Sequence, residues 1–218
     1  MARKFKKSKV SICVFCEGES EQAYIDFLKS EFHDVAVFKR PSSPGLFDDA
    51  DNRFKKDPGY RNYVDAIDEI WFFFDVEEKD IGNWTNRLEI IKRLRKLRKD
   101  PKIRVRLLMT TGCIEYWLML HYRHLAPSLL TVPDKERMLA QVVNMEPTYR
   151  KGNYDATARI AQNYPTAVKN ATIVLQNLLQ EGMPGLEDTD ERNCWLCTKC
   201  KTFSTVQEAI VFLEGLQS

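Results

Sequence analysis

Val10 to Leu28, VSICVFCEGESEQAYIDFL, is the stretch from which the rest of the chain is read. Val10 to Phe15 is an apolar run that ends in an acidic turn, Glu17-Gly18-Glu19-Ser20-Glu21. Beyond it Tyr24, Ile25, Phe27 and Leu28 line the apolar side of a helix. A strand that enters a helix through a short glycine-containing turn puts its polar residues at the carboxyl edge of a sheet, where open α/β folds keep their sites. Glu17 then stands at the strand tip, and Glu21, about one helical turn on, projects from the same side of the helix start. Acids also gather at helix N-termini for the backbone dipole alone, so Glu19 and Glu21 do not define a site by themselves.

A second acidic turn of the same build gives the first one meaning. Ile70-Trp71-Phe72-Phe73-Phe74 is continuously apolar and ends in Asp75-Val76-Glu77-Glu78-Lys79-Asp80. So short a run, rich in aromatics, reads as a buried central strand. Asp75 and Glu77 are two apart, and in extended backbone their carboxylates point the same way. In one parallel sheet both acidic tips fall on the same edge, where they repel unless a cation or a shared proton intervenes. Hard oxygen ligands of this kind suit Mg²⁺ or Mn²⁺.

Glu17-Gly18-Glu19-Ser20-Glu21 followed by Asp75-Val76-Glu77 resembles the Toprim domain of topoisomerases, primases and overcoming-lysogenization-defect nucleases. CEGESEQAYIDFL, then DEIWFFFDVEEKD, then TGCIEYWLMLHY is similar, in that order, to the RloB-like abortive-infection family of defence proteins. The resemblance runs from Val10 to Tyr122. It implies that Glu17, Asp75 and Glu115 are the acids of the site, with Glu77 where Toprim proteins generally carry aspartate. Thr110-Thr111-Gly112-Cys113 stands where relatives tend to show an Asn-Pro turn. An ABC-type ATPase partner is also implied.

With 218 residues the chain suffices for one substantial domain, or one domain with an elaboration. Its 44% hydrophobic and 29% charged content is that of an ordinary soluble globular protein, which excludes a disordered or fibrous class. No apolar run approaches the ~20 residues that span a bilayer, and no signal peptide is evident, so a cytoplasmic location without membrane association is expected. The six cysteines then read as reduced thiols or metal ligands rather than a disulfide framework.

The net charge of +2 is unevenly spread. Arg3, Lys4, Lys6, Lys7 and Lys9 form a basic arm. A denser run, Arg87 to Arg106, includes Lys92, Arg93, Arg95, Lys96 and Lys99 around a Leu88-Ile91-Leu94-Leu97 apolar stripe. Most of these cations face solvent on a helix packed against the sheet. Bordering an acidic metal edge, they would neutralise a phosphodiester backbone, and they are the candidate nucleic-acid contacts.

Asp34 to Arg40 reads as a short strand, Leu46 to Lys56 and Tyr60 to Glu69 as helices, and Ile103 to Met109 as a strand with one wetter face or at a sheet edge. Cys113 to His124 is a helix with Ile114, Trp117, Leu118 and His121 on one face, where His121 reads as packing. From Asp134 the pattern turns helical: Asp134 to Met145, Tyr154 to Asn163, Thr166 to Leu179, and a closing helix after Ser204. Tyr149-Arg150-Lys151-Gly152-Asn153-Tyr154 interleaves aromatic and basic residues in a loop, a mix that grips nucleic acid or joins two parts of a protein. Cys194, Cys197 and Cys200 are spaced to meet at one ion such as Zn²⁺, which needs a distant fourth ligand, or they are simply reduced thiols.

The expected fold is therefore α/β, with a Toprim-like, mostly parallel central sheet flanked by helices in residues 1–125 and a C-terminal helical elaboration in residues 126–218. The expected activity is divalent-metal-dependent cleavage of DNA or RNA in antiphage defence. Asp75 and Glu77 hold Mg²⁺ or Mn²⁺, Glu17 acts as ligand or general acid/base, and Glu21 and Glu115 are further ligands. Two rivals are a nucleic-acid-binding module that does not cut and a regulatory protein that docks on an ATPase. Self-association into a homo-oligomer is compatible with each.

Overall fold

A computed structural model of the protein describes residues 9–199 and 201–217. Arg3, Lys4, Lys6 and Lys7 of the basic arm, and Cys200, lie outside the described residues. In chain order the elements are β1 (Val10–Cys16), α1 (Glu19–Glu31), β2 (Ala36–Lys39), α2 (Phe47–Lys56), α3 (Pro58–Arg61), β3 (Glu69–Val76) and α4 (Trp84–Arg95). There follow β4 (Arg104–Thr111), α5 (Ile114–Leu120), α6 (Val132–Met145), α7 (Tyr154–Ala161), α8 (Tyr164–Gln180), α9 (Asp190–Thr198) and α10 (Val206–Gln217).

The four strands form one parallel sheet in the order β2-β1-β3-β4. The chain leaves β1 to one side for β2 and then to the other for β3 and β4. The topological switch point thus falls between β1 and β3, and the crevice outside their carboxyl ends is where such a sheet binds ligands. This is the Toprim-like α/β fold that the two acidic strand ends implied.

Because strand side chains alternate between faces, β1 and β3 feed two separate cores. Val14, Cys16, Trp71 and Phe73 point to a face covered by α1, α5, α6, α7 and α10. Cys13, Phe15, Phe72 and Phe74 point to the other, covered by α2, α3, α4 and α9. On that second face Phe47 stacks on Phe72 at 4.2 Å between ring centroids and meets Phe74 edge-on at 5.4 Å. Each fully buried ring contributes about 1.5–3 kcal/mol by its removal from water, so this aromatic layer anchors the strand that carries Asp75.

Several local expectations are corrected. Tyr60 to Glu69 is not one helix: α3 ends at Arg61, a single 3₁₀ turn covers Val64–Ala66, and Glu69 already belongs to β3. On β4 Arg104 is exposed, as a wetter face requires, but Arg106 is 4% exposed. Its guanidinium donates two bonds to Glu69, at 3.0 and 3.1 Å, and Trp71 Nε1 donates a third to the same carboxylate at 2.6 Å. A bidentate, fully bonded pair of this kind lets two charges stay inside. The outer edge of β4 is covered by the chain entering α10. Thr205 Oγ1 accepts from Met109 N and donates to Leu107 O, and Thr111 N donates to Phe203 O.

Candidate acidic site at the carboxyl edge

Glu17 is the first residue past β1. Its backbone N–H donates to Phe73 O at 3.0 Å, prolonging the β1–β3 ladder by one step. Its side chain turns across the crevice, where Oε2 accepts the Asp75 N–H at 2.9 Å. Gly18 then caps α1, and the absence of a side chain there matters, because a Cβ would lie 2.8 Å from Glu21 Oε2. Glycine thus lets Glu21 fold back beneath the turn, where it is 4% exposed. Burial, together with the nearby Glu17 and Glu115 carboxylates, pushes the Glu21 carboxyl up to about 7.

Asp75, at the end of β3, sits where the most repulsion collects. Burial first, and then Glu21, Glu17, Glu115 and Glu77, hold its carboxyl well above the ordinary range. Its Oδ1 is enclosed and has no hydrogen-bond partner among the described residues. An enclosed carboxylate oxygen of this kind is expensive unless a cation or proton meets it. Glu77, two residues on, accepts from Lys135 Nζ of α6. Glu115 comes from the first turn of α5 and is 1% exposed. Tyr149 Oη donates to its Oε1 at 3.1 Å, and Lys151 Nζ lies 3.8 Å from the same oxygen.

Of the residues expected at the site, Glu17, Glu21, Asp75 and Glu115 converge at the switch point, and Glu77 stands beside them. Among the described residues, no group of three or more His, Cys, Asp and Glu side chains is arranged to hold a metal ion as it stands. Mg²⁺ requires less than that, since it keeps most of its waters and binds through one or two carboxylates plus substrate oxygens. The enclosed Asp75 Oδ1 and the Glu17, Glu21 and Glu115 carboxylates around it fit such an ion.

The basic helix does not border this edge. α4 leaves the carboxyl end of β3 and runs back for 12 residues, about 18 Å at the helical rise. Lys92, Arg93, Arg95, Lys96 and Lys99 are therefore carried toward the amino ends of the strands. Beyond the helix, Arg98 bonds to Asp65 O and lies 4.0 Å from Asp68, just before β3. Lys92 pairs with Glu89, Arg93 with Asp51 and Arg95 with Asp190, while Lys96 and Lys99 are exposed. Arg87, in the first half of α4, does stay near the edge, with its guanidinium 5.0 Å from the Phe74 ring centroid.

The cations that stand among the carboxylates come from the C-terminal helices instead. Lys135 reaches Glu77 from α6, and the Tyr149–Asn153 loop lies against the start of α1. There Gly152 N donates to Ser20 Oγ at 3.2 Å. The interleaved aromatic and basic residues of that loop were its only sequence signal, and they left open what it touches.

His121 is a packing residue. Its Nδ1 lies 3.0 Å from Trp117 O, which can only accept, so Nδ1 carries the proton and Nε2 accepts from Tyr24 Oη at 3.1 Å. His124 is exposed. Cys194 and Cys197 lie on α9, an element not expected there, and Cys197 Sγ lies 3.5 Å from Met109 Sδ in the core. No disulfide joins the described cysteines, and no helix among the described residues is long and apolar enough to cross a membrane.

A parallel sheet in 2-1-3-4 order with acids at its switch point defines a Toprim-like α/β protein. The RloB-like protein family model matches residues 12–210, and the chain belongs to that family. No curated protein matches the chain.

Proposed function

We propose that the protein is a divalent-metal-dependent nuclease that cleaves the phosphodiester backbone of DNA or RNA, and that it serves in antiphage defence. The observation that carries this reading is the enclosed, unpartnered Asp75 Oδ1, ringed by Glu17, Glu21 and Glu115 at the switch point of the sheet. So much like charge is stable only with a cation or proton among the carboxylates. Asp75 and Glu77 would hold Mg²⁺ or Mn²⁺, with Glu17, Glu21 and Glu115 as further or water-mediated contacts. When bound, such an ion neutralises the phosphate and lowers the pKa of a water.

The protein's own groups have separable tasks. Glu17, fastened to Asp75 N, fixes the spacing of the two strand tips and would serve as ligand or as general base. Glu21, titrating near 7, is placed to hold or release a proton at working pH. Tyr149 orients Glu115 through a single hydrogen bond.

The test is cleavage of plasmid, single-stranded DNA and tRNA with Mg²⁺, Mn²⁺ or EDTA, beside Glu17→Gln and Asp75→Asn. Cutting that needs the metal and both acids supports the reading. Cutting that survives EDTA or either substitution overturns it. A second reading, a nucleic-acid-binding or ATPase-docking protein that does not cut, is favoured by Lys135, whose ammonium already occupies Glu77. Nucleic-acid binding, or tight binding to an ABC-type ATPase, that is unaffected by acid substitutions and accompanied by no turnover is its signature.

A further inference from the structure

Among the described residues two lysines reach the acidic edge, and they are built differently. The Lys135 side chain is 26% exposed and bonded directly to Glu77, which makes it an internal counterion. The Lys151 side chain is 66% exposed, and its Nζ stops 3.8 Å from Glu115 Oε1. That oxygen already receives the Tyr149 hydroxyl. Lys151 is thus held at the rim by charge while its ammonium keeps hydrogens directed to solvent.

The loop that carries it is fixed in place. Tyr149 is fully buried, and Gly152 N bonds to Ser20. Gly152 has φ +76°, and a Cβ there would lie 3.0 Å from Glu19 Oε2 and 3.1 Å from Glu19 Cβ. A glycine is needed for that turn and that approach. Lys151 is therefore presented over the carboxylates by a clamped loop, and among the described residues its salt-bridge partner is Glu115 alone.

A nucleic-acid strand approaching this edge meets carboxylates first and is repelled unless cations line its path. We infer that Lys151 is a substrate-binding residue, whose ammonium moves from Glu115 to a backbone phosphate next to the one in the crevice. The Tyr149–Asn153 loop is then the wall along which the strand lies. The nature of the ligand rests on the nuclease reading, whereas the position of Lys151 does not.

The experiment measures fluorescence anisotropy of a labelled single-stranded DNA oligonucleotide with the full chain in Ca²⁺ buffer across a salt series. It compares wild type, Lys151→Gln, Lys151→Arg and, at the far edge, Lys92→Gln. Losing one phosphate contact should lower the slope of log affinity against log salt by about 0.7 and weaken binding several-fold. Arginine should restore both, and Lys92→Gln should leave both as in wild type. An unchanged slope in Lys151→Gln, or no binding by wild type, overturns the inference. Cleavage in Mg²⁺, run in parallel, separates the two claims. Binding that depends on Lys151 without cutting keeps this contact and removes the nuclease, whereas cutting with Lys151→Gln unchanged does the reverse. Since the side chain is exposed, the thermal midpoint should not move.

Discussion

Glu17 Oε2 accepts the backbone N–H of Asp75 at 2.9 Å, so the first carboxylate of the acidic edge is fastened to the strand that carries the second. This bond spans the topological switch point and sets two like charges side by side at a fixed spacing. Glu17→Gln keeps an acceptor and removes a charge, whereas Glu17→Ala leaves the Asp75 N–H without this partner. The alanine variant should be less stable than the glutamine variant by about 1–3 kcal/mol, read from urea midpoints.

Asp75 is opposed by Glu21, Glu17, Glu115 and Glu77. In EDTA, Asp75→Asn should therefore raise stability, on the order of 1–2 kcal/mol, while abolishing metal-dependent cleavage. Adding Mn²⁺ should reverse the ranking. A cation bound only to the folded state stabilises by about 2.7 kcal/mol at roughly 100 times its Kd, and the variant should gain little. Thermal unfolding with and without Mn²⁺ checks both signs.

Tyr149→Phe removes the hydroxyl that serves the buried Glu115. A hydrogen bond to a charged acceptor contributes about 1.5–3 kcal/mol, and denaturant unfolding should register a loss of that size. Gly152→Ala should cost at least about 1 kcal/mol for its positive φ, and it should also weaken nucleic-acid binding by displacing Lys151.

His121 makes the stability of the fold depend on pH. Burial depresses its imidazole from 6.5 to about 4. The folded state therefore holds it neutral while the unfolded chain takes up a proton at higher pH. Its contribution is fully present above about pH 6.5 and is lost as pH falls toward 4, up to roughly 3 kcal/mol. Wild type should lose more stability than His121→Gln over that window when both are unfolded in urea at several pH values.

The sheet and its acidic tips were legible because β1 and β3 are short apolar runs ended by acids, a pattern that local sequence carries in full. The direction of α4 was not. A helix that crosses between parallel strands must run antiparallel to them, and this takes Lys92 to Lys99 away from the edge that Arg87 still approaches. Burial of Arg106 depends on Glu69, 37 residues earlier in the chain, and so alternation along β4 alone read it as wet. The partners of Glu115 and Glu77 lie in Tyr149, Lys151 and Lys135, contacts that only tertiary packing makes. The helix bearing Cys194 and Cys197 is capped by Thr189, whose side chain accepts from Arg192 N. Its weak apolar periodicity hid it beneath the spacing of the thiols.

The central claim is that the crevice between Glu17 and Asp75 is a cation site. Its most direct test is Mn²⁺ binding to the protein in the absence of nucleic acid, followed by electron paramagnetic resonance of the residual aqueous ion, for wild type and Asp75→Asn. Saturable binding by wild type that Asp75→Asn removes is the predicted result. Equal binding by the two proteins, or none by wild type, would contradict it.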